Sequence, residues 1–312
     1  MGCTSSLQSS SLVQETPARF ATPGLVTGVP FFPQDDYQCG PAALATVLGA
    51  SQVEVSSETL VPLVYVPERQ GSFQVEMVAA ARSFGRLAYQ IPPTLDALFA
   101  EINSGNPVLV LQNLALNRFP QWHFSVVKGF DLQRRRVILN SGRIENYEAP
   151  LAAFERTWAR SDYWAIVVLQ PGSIPVSADP VRYFNAVVAL EQNNSPELVA
   201  PAYLSGLERW PRQRELLMGY GNLLYSANRL DEAKSSFEAV ITQHPDFAPA
   251  HNNLAQIYLD QERYDVAEHY AARAIALGGI YLGEFQKTQQ EIRSARAIHR
   301  RAEPDDSLFT IH

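Results

Sequence analysis

The sequence is poor in several features, and each shortage excludes a class of protein. It has only two cysteines, Cys3 and Cys39, in 312 residues, too few for a disulfide framework. No stretch approaches the roughly 18 consecutive apolar residues that mark a membrane-spanning helix. The net charge is -7 and neither half has an excess of basic residues. Nucleic acid is therefore not an expected partner.

Signatures of metal and cofactor binding are also missing. No cluster of His, Cys, Asp or Glu has the spacing of a metal site, and the phosphate-binding pattern G-x4-G-K-[ST] does not occur. We therefore expect neither a metal nor a cofactor. What remains is an ordinary globular composition, 46% hydrophobic and 18% charged, in a chain long enough for two domains.

The most informative segment is Q-D-D-Y-Q-C-G-P-A-A-L, residues 34–44. It places Cys39 where a polar loop meets an apolar stretch with Pro41 in its first turn, which predicts a buried helix over 40–50. The start of a helix carries partial positive charge and unpaired N–H groups. A thiol at that position is expected to lose its proton more easily, and the thiolate is the reactive form.

The hydrophobic pattern divides the chain into segments. After a polar stretch over 1–27, which predicts a flexible tether, helices are predicted at 73–84, 95–103 and 151–157. Buried strands are predicted at 107–112, 123–130, 137–140 and 163–169. This order predicts an α+β domain over 28–171 with a mostly antiparallel sheet. Residues 172–180 have the composition of a linker.

The second half repeats every 34 residues. Pro211, Pro245 and Gly279 keep this period, and so do Leu190, Leu224 and Tyr258. The period and its small and large apolar positions are those of the tetratricopeptide repeat. We predict an all-α solenoid over 181–302, with about three repeats, a polar capping helix and a tail at 303–312. Such solenoids commonly bind proteins, and Asn222, His251, Asn252 and Asn253 are candidates for the binding face.

His123 is the most plausible partner for Cys39. It opens a predicted buried strand after the loop Phe119-Pro120-Gln121-Trp122, so its side chain can project into a cleft. The other five histidines fall in the helical half or the tail. Cysteine catalysis needs a thiol, a base, a group that orients the base and donors for the oxyanion.

Residues 29–170 resemble the papain-fold bacteriocin-processing peptidases, the double-glycine leader peptidases and their stand-alone relatives. The resemblance rests on Gln34 ahead of Cys39, on Gly40 and the small-residue helix after it, and on H-F-S-V-V-K-G-F-D at 123–131. It implies a papain-like fold with Cys39 as nucleophile and His123 as base. It also implies that the amide of Gln34 and the backbone N–H of Cys39 form the oxyanion hole, with Gln38 as a competing candidate.

The sequence departs from that family at the third catalytic position. Members usually carry an Asp at the end of the return strand, whereas this chain reads Asn140-Ser141-Gly142. We assign Asn140 to orient His123, with Ser141 as the alternative. Asp131 is a carboxylate but lies in the hairpin turn.

Three functions follow as expectations. The first is a cysteine peptidase that acts on a peptide or protein substrate and recruits it, or a partner protein, through the repeats. The second is a catalytically weak or inactive papain-like scaffold that works through the repeats. The third is an amidase or acyl transferase with the same triad.

The start of the chain, M-G-C-T-S-S, resembles a mature bacterial lipoprotein with its lipidated cysteine at Cys3. It implies a periplasmic protein anchored to the outer membrane, with membrane contact only through lipid on Cys3. N-myristoylation fits Ser6 only loosely.

Overall fold

The computed structural model describes residues 8–34 and 38–302. The chain divides into two compact units between Gly206 and Leu207. In the described part of the chain, no helix is both long enough and apolar enough to cross a membrane. Cys3, the predicted lipid site, lies outside the described residues.

The first unit joins helices to one sheet. Its helices are α1 Gln8–Gln14, α2 Cys39–Ala50, α3 Ser57–Val64, α4 Gln74–Ser83, α5 Leu95–Asn103, α6 Leu151–Ala159, α7 Pro180–Glu191 and α8 Pro196–Arg209. The division between the two units falls inside α8. Its strands are β1 Gly24–Leu25, β2 Leu87–Gln90, β3 Val108–Asn113, β4 Trp122–Asp131, β5 Arg136–Ser141, β6 Ile144–Pro150 and β7 Ala165–Leu169.

The strands form a seven-stranded antiparallel sheet in the order β2-β7-β3-β4-β5-β6, with the short β1 paired to β4. Strands β3, β4 and β7 are buried along most of their length, as their largely apolar sequences predict. Helix α2 packs against this sheet, and its residues 40–48 are all buried. The predicted α+β class is confirmed.

The N-terminal segment differs from the predicted tether. From residue 8 it is docked: α1 forms, Phe20 is 1% exposed, and β1 pairs with β4. Its anchor is the buried carboxylate of Glu155, which accepts hydrogen bonds from the backbone N–H groups of Gln8 (2.6 Å) and Ser9 (2.8 Å). Two unpaired N–H groups at the start of α1 are thereby satisfied by a negative charge. The sequence gives no local sign of this contact, because the partners lie 146 and 147 residues apart.

Replacement of Glu155 by glutamine is expected to loosen this segment. The amide keeps one acceptor but turns an NH₂ group toward backbone donors, which leaves a buried donor unsatisfied at a cost of about 1–3 kcal/mol. The measurement is the free energy of unfolding together with limited proteolysis within residues 8–20. Glu145→Gln, which alters an exposed carboxylate on β6, is the matched control. Equal protease resistance of the two variants would contradict the anchoring role.

The predicted linker at 172–180 is held against the first unit. Ser177 donates from its N–H and its hydroxyl to the buried Glu101 carboxylate, and the Asp179 N–H donates to the Tyr89 hydroxyl. The compact first unit therefore continues through this segment into α7 and most of α8. The domain boundary at 172–180 stays a prediction.

The second unit consists of helices. After the end of α8 these are α9 Arg214–Ser226, α10 Leu230–Gln243, α11 Ala248–Asp260, α12 Tyr264–Leu277 and α13 Leu282–Ala302. The helices pack in pairs, α9 with α10 and α11 with α12. At Gly221 a Cβ would lie 2.5 Å from the Phe237 ring, so the small residue on α9 allows the aromatic ring of α10 to pack closely. Ala233 and Ala267, equivalent positions one period apart, are fully buried. The predicted repeat architecture is confirmed.

Candidate active site

Cys39 is the first residue of α2, as predicted, and its thiol is free and half-buried. The residue after it must be small. A Cβ on Gly40 would collide with the Ser72 hydroxyl and lie 2.6 Å from the Ser72 Cβ. The Cys-Gly pair in the sequence therefore reflects close packing of residues 70–74 over the start of α2.

His123 lies near the beginning of β4 and pairs with Gln112 on β3. Its Nε2 is 2.9 Å from the hydroxyl oxygen of Ser141, the last residue of β5. This hydrogen bond occupies Nε2 and holds the ring in one orientation. His123 and Cys39 line the same groove, so the two predicted residues face one cavity.

Asn140 requires a correction. Its side chain turns away from the imidazole: Nδ2 donates to the carbonyl of Pro30 (3.3 Å) and Oδ1 accepts from the N–H of Asn146 (3.3 Å). One residue of the pair bonds the ring in this structure. That residue is Ser141, the alternative in the sequence analysis.

Gln34 lines two cavities that also contain Cys39, one of them the groove. Its backbone is held by the β5–β6 turn: its N–H donates to the carbonyl of Gly142 (3.2 Å), and its carbonyl accepts from Nε of Arg143 (3.3 Å). Gln38 instead occupies the N-cap position of α2. This placement favours Gln34 as the oxyanion donor.

Asp131 is excluded as an orienting carboxylate by its position. It ends β4, eight residues beyond His123, which corresponds to about 26 Å along the strand. Its side chain accepts a hydrogen bond from the Arg134 N–H in the hairpin turn.

The groove has a volume of about 1020 Å³. Residues 70–74, which lead into α4, and residues 120–124, which lead into β4, contribute most of its lining, and Arg160, Ser161 and Asp162 also line it. Two large apolar side chains in these segments are exposed, Phe73 at 44% and Trp122 at 50%. The groove is therefore large enough for a peptide and combines apolar with polar surface.

The electrostatics oppose the predicted activation of the thiol. Burial raises the pKa of Cys39 above its ordinary value, although backbone N–H groups of Phe124 and Gly40 act in the other direction. Burial also lowers the pKa of His123 to about 4. These shifts run against the prediction of an easily ionised thiol, because loss of hydration outweighs the favourable helix start. At neutral pH both the Cys39 thiol and the His123 imidazole are neutral.

The different roles of Ser141 and Asn140 predict different kinetic and stability effects. Ser141→Ala is expected to lower kcat about tenfold, since one neutral hydrogen bond to the base is lost, while the melting temperature changes little. Asn140→Ala is expected to lower the melting temperature instead, because two hydrogen bonds that tie β5 to the chain disappear. The measurements are kcat on a cleaved peptide and thermal unfolding. A large loss of kcat in a stably folded Asn140→Ala variant, with Ser141→Ala unaffected, would restore Asn140 to the site.

The β5–β6 hairpin was not predicted from the sequence, although its tip Ser141-Gly142-Arg143 contacts both His123 and the Gln34 backbone. A signal was present: Ser-Gly followed by the partly alternating stretch I-E-N-Y-E-A-P is typical of a turn before an edge strand. Gly142 has φ of 62°, the left-handed region that glycine favours in such turns.

Two of the predicted polar residues of the repeats meet across helices, and another is buried. Asn253 on α11 donates to Asn222 on α9 at 2.8 Å. His251 is only 7% exposed, and its Nε2 is 3.0 Å from the carbonyl of Pro245. His251 therefore supports the fold of the repeat, and Asn222 and Asn253 remain as surface candidates.

Comparison with known proteins gives two family matches and no match to a curated protein. Residues 26–166 match the Peptidase_C39 like family, and residues 184–234 and 221–279 match the tetratricopeptide repeat.

Solved structures are similar to parts of the chain. One, described as a C39-like peptidase from Bacillus anthracis, is 16% identical, covers 47% of this chain and 98% of its own, and has a TM-score of 0.41. A double glycine motif protease from an AMS/PCAT transporter, in complex with the leader peptide, is 24% identical over 47% of this chain and 92% of its own, with a TM-score of 0.36. The TPR2B domain of yeast Sti1, in complex with pHsp70, is 16% identical over 37% and 90%, with a TM-score of 0.32.

Proposed function

We propose, for a chain in which a Peptidase_C39-like domain is followed by tetratricopeptide repeats, that the protein is a cysteine peptidase whose repeats recruit its substrate or a partner protein. The observation that carries the proposal is the joint lining of one groove by Cys39 and His123, with His123 Nε2 held by Ser141. A thiol and an oriented imidazole in an open groove are the minimum for nucleophilic catalysis.

The residues divide the chemistry as follows. Nδ1 of His123 accepts the proton of the Cys39 thiol as the sulfur attacks the scissile carbonyl, while the Ser141 hydroxyl accepts a hydrogen bond from Nε2–H. The Gln34 amide and the Cys39 backbone N–H donate to the oxyanion. The imidazolium then protonates the leaving amine, and a water molecule hydrolyses the thioester. Because thiol and imidazole both start neutral, proton transfer accompanies attack and no resting ion pair is needed.

The protein is expected to react with mechanism-based thiol reagents. A peptidyl reagent that occupies the groove should label Cys39, which mass spectrometry of the full chain would locate, and a peptide pool should be cleaved. A folded chain that neither labels at Cys39 nor cleaves any member of the pool would overturn the proposal.

A second candidate is a non-catalytic scaffold that acts through its repeats. Two observations favour it. The raised pKa of Cys39 makes the thiolate, the nucleophilic form, harder to reach. The neutral hydroxyl of Ser141, where the family usually has a carboxylate, stabilises a protonated His123 less and so makes it a weaker base. In that case the protein should bind its partner with the same affinity whether or not Cys39 is present.

We also propose lipidation of Cys3, which would place the protein at the outer membrane of a bacterium. The support is the sequence M-G-C-T-S-S. Mass spectrometry of the N-terminal peptide from a membrane fraction tests it. An unmodified Cys3 in protein recovered from the soluble fraction would contradict the proposal.

A further inference from the structure

A second pocket lies in the first unit, away from Cys39 and His123. It has a volume of about 400 Å³, within the range of ligand sites. Residues from α4, β2, β7 and α7 line it, among them Arg82, Gln90, Ile166, Arg182 and Asn185. Asp162 lines both this pocket and the catalytic groove. The two cavities are therefore neighbours that meet at Asp162.

Arg82 is the unusual residue of this pocket. Its Nε is buried and has no hydrogen-bond partner, and across residues 8–34 and 38–302 no ion pair to its guanidinium is found. Burial lowers the pKa of Arg82, but a guanidinium remains charged. A half-buried cation without a partner costs stability unless something in the pocket compensates it.

A second cation, from α7, also lines the pocket. Arg182, near the start of α7, is 3.3 Å from the Asp179 carboxylate, and Asp179 also caps α7 by accepting from the N–H groups of Val181 and Arg182. The negative charge of Asp179 is thus shared between the helix start and one arginine. Asp162, which is exposed, stands where the pocket meets the groove. The lining contributes the guanidinium groups of Arg82 and Arg182 and the amides of the exposed residues Gln90 and Asn185.

We infer that this pocket binds a carboxylate, and that the carboxylate is an aspartate or glutamate side chain of the peptide that lies in the catalytic groove. A planar guanidinium pairs with a carboxylate through two parallel hydrogen bonds, which would satisfy Arg82. The shared wall at Asp162 lets one extended peptide reach both cavities. This inference rests on the proposed peptidase function for the origin of the carboxylate, but the pocket's affinity for a carboxylate is independent of catalysis.

The first experiment measures binding without catalysis. N-acetyl-L-glutamate α-methylamide and its glutamine counterpart, which differ by one charge, are titrated into full-length Cys39→Ala protein by nuclear magnetic resonance. The glutamate compound is expected to bind and the glutamine compound to bind at least about tenfold more weakly, since a charge-assisted pair is lost. Arg82→Gln should weaken the glutamate compound by a similar factor. Arg156→Gln, which removes an exposed charge on α6, should leave it unchanged.

Arg182→Gln provides a second variant that keeps the test valid if Arg82→Gln fails to fold. Its side chain is half exposed, so its loss should be tolerated and should weaken the same compound. Equal binding of the glutamate and glutamine compounds, or no effect of either arginine variant in folded protein, would overturn the inference.

The second experiment identifies the source of the carboxylate. The active protein is given a peptide library randomised at each position, and cleaved products are sequenced. An acidic preference at one position that disappears in Arg82→Gln but persists in Arg156→Gln supports a substrate side chain. Binding that depends on Arg82, together with cleavage that shows no acidic preference, would contradict the substrate source and identify a site for free carboxylates. If no peptide is cleaved, the proposed function and the substrate source both fail, and the titration alone decides whether the pocket binds a carboxylate.

Discussion

Replacement of Cys39 by alanine is expected to reduce peptide cleavage at least about 10⁴-fold, since loss of the nucleophile removes the whole acyl-enzyme route. The fold should survive, because Cys39 is only half-buried and α2 is held by the apolar side chains at 42–48. The measurement is kcat/KM on the best substrate of a peptide pool, with the melting temperature as a check on folding.

Cys39→Ser is the matched control for this prediction. It keeps the size and a nucleophilic atom, yet an alcohol ionises far less readily than a thiol, so cleavage should also be lost while thiol labelling disappears in both variants. Cleavage that persists in Cys39→Ala would show that the activity belongs to another site. Preserved binding of a partner protein in both variants would separate the role of the repeats from that of the groove.

His123 is expected to make the free energy of unfolding depend strongly on pH. Its pKa is about 4 in the folded protein and near 6.5 when exposed. Between these values the unfolded chain binds more protons than the folded one, so stability rises with pH. The contribution is fully present above about pH 6.5 and falls by about 3 kcal/mol as the pH approaches 4. The same low pKa keeps the ring neutral, and able to accept a proton, at neutral pH.

The test compares urea unfolding of the parent protein and of His123→Gln between pH 4 and 7. Other titrating groups act on both proteins, so the difference between the two curves isolates His123. The parent should lose about 3 kcal/mol more than the variant over this range. Parallel curves would mean that the ring is hydrated in the folded state, and the buried, neutral imidazole would have to be abandoned.

The elements that local pattern predicts well are those whose burial is uniform. Helix α2 and strands β3, β4 and β7 are apolar runs with clear stops, and the structure places them within one or two residues of the predicted bounds. The repeats could be predicted equally well, because a 34-residue period identifies the equivalent positions of successive repeats. Cys39 and His123 follow from the motifs at the ends of two such elements.

What the sequence could not supply depends on contacts between distant residues. The docking of α1 needs Glu155, and the docking of 172–180 needs Glu101. The choice between Asn140 and Ser141 is a question of strand register, where a shift of one residue turns a side chain to the other face. The pKa of Cys39 likewise depends on how completely the surrounding segments cover it, which no local pattern records.

The tip of the β5–β6 hairpin, where Ser141, Gly142 and Arg143 meet His123 and the Gln34 backbone, gives the domain a built-in delay during synthesis. Cys39 leaves the ribosome about a hundred residues before Ser141, and chains grow at about 5–20 residues per second. For several seconds the nascent chain carries its thiol before the Ser141 contact to His123 and the hairpin contacts to the Gln34 backbone can form. Under the proposed function, chain order alone therefore withholds activity from the new chain until the hairpin closes.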